Sequence, residues 1–201
     1  RYARIEGLDP GRTAEAMVLT VAVGYFGARL FELCINWERY AGRPGGMRLL
    51  LFSTGVFFGG LLTAIPFCIY WFRHIGLPVL QGLDILALTA CVAEGVGRWG
   101  CFFSGCCWGR PTDLPWAVTF PEPARGLHAG LPGVPIHPTQ IYHALVSLGI
   151  LTILILLYRN KRFHGRIIAV YVFLYSVTRF FVETLRGDAE RGSVLSGRLS
   201  T

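Results

Sequence analysis

Lysine is nearly missing from this chain: Lys161 is the only one in 201 residues, so arginine carries almost all of the positive side behind the formal charge of +7. Charge of any kind is scarce, at 15% of residues against 53% hydrophobic ones, and a water-facing surface can hardly be built from that supply. Residues 49–72 hold no Lys, Arg, Asp, Glu or His at all. The Cys-x-x-Cys spacing typical of thiol redox proteins is absent although there are six cysteines, and the pattern is not that of a secreted disulfide scaffold. No basic face interleaved with aromatics and no helix-turn-helix pattern is present, so the positive charge is not read as a nucleic-acid surface. No internal repeat or low-complexity tract is evident. The first ten residues are polar, with neither an initiator Met nor the apolar core of a signal peptide, which reads as a chain trimmed at its start or one that begins inside a longer protein.

What is present is apolar sequence in lengths that cross a bilayer, roughly 20 residues each. Five such spans are expected, at about 16–35, 49–72, 85–103, 139–158 and 167–185. The fold class is therefore an all-α polytopic transmembrane helix bundle, read as a single integral membrane domain over 1–201. The one long connection, 104–137, is rich in Pro and Gly, and loops of that length are more often functional than not. Trp108 and Trp116 within it suit the headgroup layer. The densest basic loop, 159–166, belongs in the cytoplasm by the positive-inside rule, which makes the 104–137 loop periplasmic.

Two spans carry charge at membrane depth. Glu94 and Arg98 are four residues apart on one helix face, and Arg179 and Glu183 repeat the spacing in reverse order, with Arg186 at the membrane edge. A charge inside a bilayer costs at least about 2.5–3.5 kcal/mol, so it is paired, turned inward and commonly functional. Simple ion pairs stapling the bundle would satisfy that rule. Two helices each offering an arginine to one interior point instead to a phosphate clamp, because guanidinium binds phosphate bidentately and stays charged. Arg29 with Glu32 forms a possible third pair, near a helix end. Gly55, Gly59 and Gly60 make a small-residue face for close helix packing, whereas Gly97 and Gly100, flanking Arg98, read as the wall of a cavity. Pro138 fits a first helical turn, which puts His137 at the membrane surface with Gln140 and Tyr142 just inside. His137 and His143 are the imidazoles best placed for proton transfer near neutral pH.

The run Gly97-Arg98-Trp99-Gly100-Cys101-Phe102-Phe103-Ser104-Gly105-Cys106-Cys107-Trp108-Gly109, then His137-Pro138-Thr139-Gln140-Ile141-Tyr142, then Arg179-Phe180-Phe181-Val182-Glu183-Thr184-Leu185-Arg186, resembles the prolipoprotein diacylglyceryl transferase family. The three blocks stand in that family's order and separation and cover nearly the whole chain. The resemblance implies seven spans, of which this chain would carry the second to sixth. It implies an enzyme of the bacterial inner membrane that moves the diacylglyceryl group of phosphatidylglycerol onto the lipobox cysteine thiol of a prolipoprotein signal peptide, releasing glycerol phosphate, with no metal or organic cofactor. By motif position Arg98 and Arg179 would hold the phosphate, with His137 as a third catalytic group. Glu94, Gly97, Gly100, Cys101, Gln140 and Tyr142 would line the substrate side, with Tyr175, Glu183, Arg186 and the pair Gly59-Gly60.

The chain departs from that signature at four places. Cys101 and Ser104 stand where Asn is typical, Cys106 where Glu is typical, and Phe58 where a His precedes the Gly-Gly pair. The proton acceptor then falls to His137, His143 or Glu94. A phospholipid-binding homologue without catalysis is the alternative reading, and a membrane thiol redox protein a third. Cys101, Cys106 and Cys107 with a His would match zinc in ligand count, but adjacent cysteines seldom ligate one ion together. A Cys101–Cys106 disulfide bracing the loop ranks above the metal. Cys34, Cys68 and Cys91 read as small buried hydrophobes.

Overall fold

The computed structural model describes residues 2–41, 56–121, 133–187, 193–194 and 199–200. Helices dominate: α1 (Tyr2–Ile5), α2 (Pro10–Ile35), α3 (Trp37–Tyr40), α4 (Phe57–His74), α5 (Val79–Phe103), α6 (Thr139–Arg159) and α7 (Arg166–Thr184). Four two-residue strands complete the set: β1 (Val118–Thr119), β2 (Pro135–Ile136), β3 (Ser193–Val194) and β4 (Leu199–Ser200). Among the described residues, α2, α5, α6 and α7 are long and apolar enough to cross a membrane. The protein is a multi-pass all-α membrane bundle. Of the span expected at 49–72, the described part is the 18-residue α4; residues 49–55, Gly55 included, lie outside the described residues.

Two helices begin earlier than the apolar pattern alone suggests. α2 starts at Pro10 rather than near 16, because Asp9 accepts a hydrogen bond from the Arg12 amide at 2.7 Å and Pro10 supplies a preset first turn. α5 starts at Val79 rather than near 85, and so takes the fully buried Asp84 into the helix.

The backbone divides into two compact units, Arg1–Ile85 and Leu86–Thr201. In the first, α2 and α4 pack with their backbones in close approach. A Cβ on Gly60 would stand 2.9 Å from the Gly24 carbonyl oxygen, and one on Gly27 or Gly59 would collide with Thr63 or with the Phe31 ring. Small residues are what let membrane helices meet so closely. At the end of α2, Arg29 lies over the Tyr25 ring and donates to its hydroxyl at 3.2 Å, while Glu32 accepts from Tyr40 and Asn36.

In the second unit α6 and α7 pack as a helical hairpin. Their short connection closes through Gly165, whose φ of 90° only glycine adopts cheaply, and Arg166 donates back to the Asn160 carbonyl at 3.0 Å. The opposite end is capped by residues 104–121 and 133–137. There β1 pairs antiparallel with β2, Val118 opposite Ile136, and Gly109 bridges to Arg186 beyond the end of α7. The C-terminal ends of α5 and α7 therefore meet the N-terminal start of α6 under one cap.

Candidate phosphate-binding site at the capped helix end

Arg98 and Arg179 each sit five residues before the end of their helix, and His143 four residues after the start of its own. At 1.5 Å per residue all three lie about 6–8 Å below the capped end. They also share one neighbourhood. Arg179 Nη1 lies 3.2 Å from His143 Nε2, and His143 stands in the field of Arg98, Arg179 and Arg186 together. A guanidinium can only donate, so His143 Nε2 is the acceptor and the imidazole in this contact is neutral. That occupies the nitrogen through which His143 would have to take a proton.

Each arginine keeps a carboxylate of its own. Arg98 Nη2 reaches Glu94 Oε1 at 3.3 Å, and Arg179 Nη2 reaches Glu183 Oε2 at 2.5 Å. The other oxygen of Glu183, Oε1, pairs with Arg186 Nε at 3.7 Å, and the side chains of Glu183 and Arg186 are almost fully buried. A guanidinium has five donors. These contacts engage one on Arg98 and two on Arg179, so both retain capacity for an anion while the carboxylates fix their direction. Tyr175 stands in the fields of Glu94, Glu183 and both arginines, and stacks on Tyr171 one turn earlier.

The cap holds the residues at the start of α6. Gly109 donates its amide to the His137 carbonyl at 3.0 Å, and His137 donates its amide to the Arg110 carbonyl at 3.0 Å. A Cβ on Gly109 would sit 2.6 Å from that His137 carbonyl, so glycine is required there by close approach. Arg110 donates from its amide to the Leu185 carbonyl at 2.9 Å and from Nε to the Arg186 carbonyl at 3.0 Å, which ties the cap to the end of α7. Trp116 Nε1 donates to the Tyr142 hydroxyl at 2.8 Å, and that oxygen lies 3.2 Å from His137 Nδ1. Trp116, expected only as a headgroup aromatic, thus orients the pair His137–Tyr142. Gln140 is 1% exposed and donates from Nε2 to the Cys106 carbonyl at 2.6 Å, while its Oε1 has no hydrogen-bond partner among the described residues. An orphaned buried acceptor costs about 1–3 kcal/mol unless water or a ligand meets it.

Gly97 and Gly100 face open space: a Cβ at either would meet nothing within 4 Å. Close packing within the unit does not explain them. Gly59 and Gly60 belong to the other unit and serve the α2–α4 contact described above. The expected Cys101–Cys106 disulfide is not formed. Cys101, Cys106 and Cys107 are thiols, and Cys106 directs its Sγ at the Cys101 carbonyl oxygen, 3.7 Å away. Hydrogen bonding with Cys101, then with Cys107, and burial push the Cys106 thiol far above its ordinary range.

Sequence reasoning named the arginines and their carboxylates from intramembrane charge. It missed the orienting residues Gly109, Arg110, Trp116 and Thr139, and the acceptor role of His143.

The profile of the family described as Prolipoprotein diacylglyceryl transferase matches residues 1–201. A phosphatidylglycerol–prolipoprotein diacylglyceryl transferase of Finegoldia magna is 30% identical over 190 residues, covering 94% of this chain and 72% of its own length. The protein of the same name from Clostridioides difficile is 30% identical over 191 residues with the same coverage, and that of Gloeobacter violaceus is 35% identical over 186 residues, 87% of this chain and 64% of its own. With its intramembrane arginines gathered beneath one cap and the whole of its length matched, the chain belongs to the prolipoprotein diacylglyceryl transferase family.

Proposed function

We propose that this chain transfers the diacylglyceryl group of phosphatidylglycerol to the lipobox cysteine thiol of a prolipoprotein, at the outer leaflet of the bacterial inner membrane. The observation that carries the reading is that Arg98 and Arg179 lie at one depth on two helices whose ends meet under one cap, with Arg179 in contact with His143. In the reaction the cysteine sulfur forms a bond to the glyceryl carbon as that carbon's bond to the phosphate oxygen breaks. The departing electron pair ends on phosphate, and glycerol phosphate leaves. Donors already aimed at the place where this charge grows are worth roughly 2.7–4 kcal/mol each in comparable sites. Glu94 and Glu183 hold the two guanidiniums in place before substrate arrives. The orphan oxygen of Gln140 suits a hydroxyl of the lipid headgroup.

The thiol must lose its proton as it attacks. His137 is the proposed acceptor: in the tautomer that donates Nδ1–H to the Tyr142 hydroxyl its Nε2 carries the lone pair, and Trp116 fixes the phenol from the other side. Gly97 and Gly100 leave room beside Arg98 for an acyl chain or the lipobox segment.

The test is transfer from phosphatidylglycerol to a synthetic lipobox peptide in detergent micelles. Peptide gaining one diacylglyceryl group as a thioether, with glycerol phosphate released in equal amount, is the expected result. Binding of phosphatidylglycerol with no transfer would sink the catalytic reading and leave a lipid-binding homologue.

A further inference from the structure

At the end of α5, and outside the contacts proposed for catalysis, three sulfurs converge. The Sγ atoms of Cys101, Cys106 and Cys107 all lie within 4.8 Å of one another. We infer that these three cysteines form a three-thiolate site for a thiophilic d10 metal ion, Zn(II) or Cu(I).

The objection to such a site is that neighbouring side chains on an extended backbone point apart. Here the backbone removes it. Cys107 is the only non-glycine residue with positive φ among the described residues, at 60°, and Gly105 just before the pair has φ 67°. Left-handed backbone at a side-chain-bearing residue costs on the order of 1–3 kcal/mol and persists where the surroundings enforce it. Both carbonyls of the pair are pinned to the start of α6: Thr139 Oγ1 donates to Cys107 at 2.7 Å and Gln140 Nε2 to Cys106 at 2.6 Å. The Cys106 amide donates to the Cys101 carbonyl at 3.1 Å. All three cysteines are thus positioned by backbone contacts, and their sulfurs are left to converge.

The separation suits a metal. Tetrahedral zinc, with Zn–S about 2.3 Å, needs sulfurs about 3.8 Å apart. Closing from 4.8 Å or less to that distance is a contraction of about 1 Å at most. Soft thiolate sets select Zn(II) and Cu(I) over harder cations. Three protein ligands would leave zinc an open fourth position for water, the pattern of a reactive rather than a closed structural zinc. As each metal–sulfur bond forms, the corresponding thiol proton passes to solvent, up to three per ion.

The experiment uses the full chain in detergent, reduced and metal-stripped. Zn(II) is titrated against a chromogenic zinc chelator, and in a separate arm Cu(I) against a Cu(I) chelator. The expected result is one ion per chain in at least one arm, with proton release. In the same sample Cys101, Cys106 and Cys107 should become protected from alkylation by peptide mass mapping, while Cys34, Cys68 and Cys91 should not. Cys101→Ser, Cys106→Ser and Cys107→Ser should each weaken binding by more than the roughly 10- to 100-fold that an outer-shell change costs, with unchanged helical circular dichroism without metal. Cys34→Ser should have no effect. The inference is overturned by absence of stoichiometric uptake in both arms, by protection that spares these three thiols in the parent chain, or by equal weakening in Cys34→Ser.

Discussion

Arg179 shows how much a single side chain has to satisfy at this site. It meets Glu183 with one terminal nitrogen and His143 with the other, a fork that a lysine ammonium cannot reproduce. Arg98→Lys and Arg179→Lys are each expected to lower the rate of diacylglyceryl transfer by about 10²–10³-fold, measured as thioether formed per unit time, while lipid binding falls less. The role of His143 separates from that of His137 by amide substitution. His143→Gln keeps an acceptor for Arg179 and should retain most of the rate, whereas His143→Leu strands a buried donor and should cost about 10–100-fold. His137→Gln removes the proposed proton acceptor and should cost about 10²–10⁴-fold with lipid binding nearly intact. Parental rates in His137→Gln would move the base to Glu94. The arginines were legible in the sequence because charge in an apolar run is costly and therefore conspicuous. The His143 contact was not, because spacing along α6 does not say which neighbour a side chain meets.

Glycine divides the helices into two kinds of surface. On α4 the glycines are filled space: a methyl on Gly60 would press against the Gly24 backbone at 2.9 Å. Gly60→Ala should therefore destabilise the chain by about 1–3 kcal/mol in a denaturation series, the usual cost of overpacking. On α5, Gly97→Ala meets open space and adds helix propensity, so stability should hold or rise by up to about 1 kcal/mol. If Gly97 walls the lipid cavity, the same variant should raise KM for phosphatidylglycerol. A destabilised Gly97→Ala chain would show that the residue is packed after all. The helix bodies were legible from hydropathy, since membrane solvent writes its thickness into run length. The starts of α2 and α5 were not, because a capping Asp9 and a buried Asp84 extend helices into sequence too polar to count as span. The pairing of β1 with β2 was equally hidden, since two-residue strands leave no periodicity to read.

For the molecule as a whole, the direction of crossing decides whether the arginines can meet their lipid. The ends of α5 and α7 and the start of α6 meet under residues 104–121 and 133–137, while 159–166 closes the opposite end of the hairpin. Whatever side one of these segments occupies, the other must take the opposite one, because α6 separates them. Arg159, Lys161, Arg162 and Arg166 stand in 159–166 with no acidic residue among them, and positive loops of this length favour the cytoplasmic side. The orientation we propose on this ground turns the capped end, with Arg98, His143 and Arg179 about 6–8 Å beneath it, towards the outer leaflet. Single cysteines placed at positions 125 and 160, in a chain whose six native cysteines are replaced, test this directly. A membrane-impermeant maleimide added to intact cells should label position 125 and reach position 160 only after lysis. Labelling of position 160 in intact cells would reverse the orientation, and with it the leaflet from which the site draws its lipid.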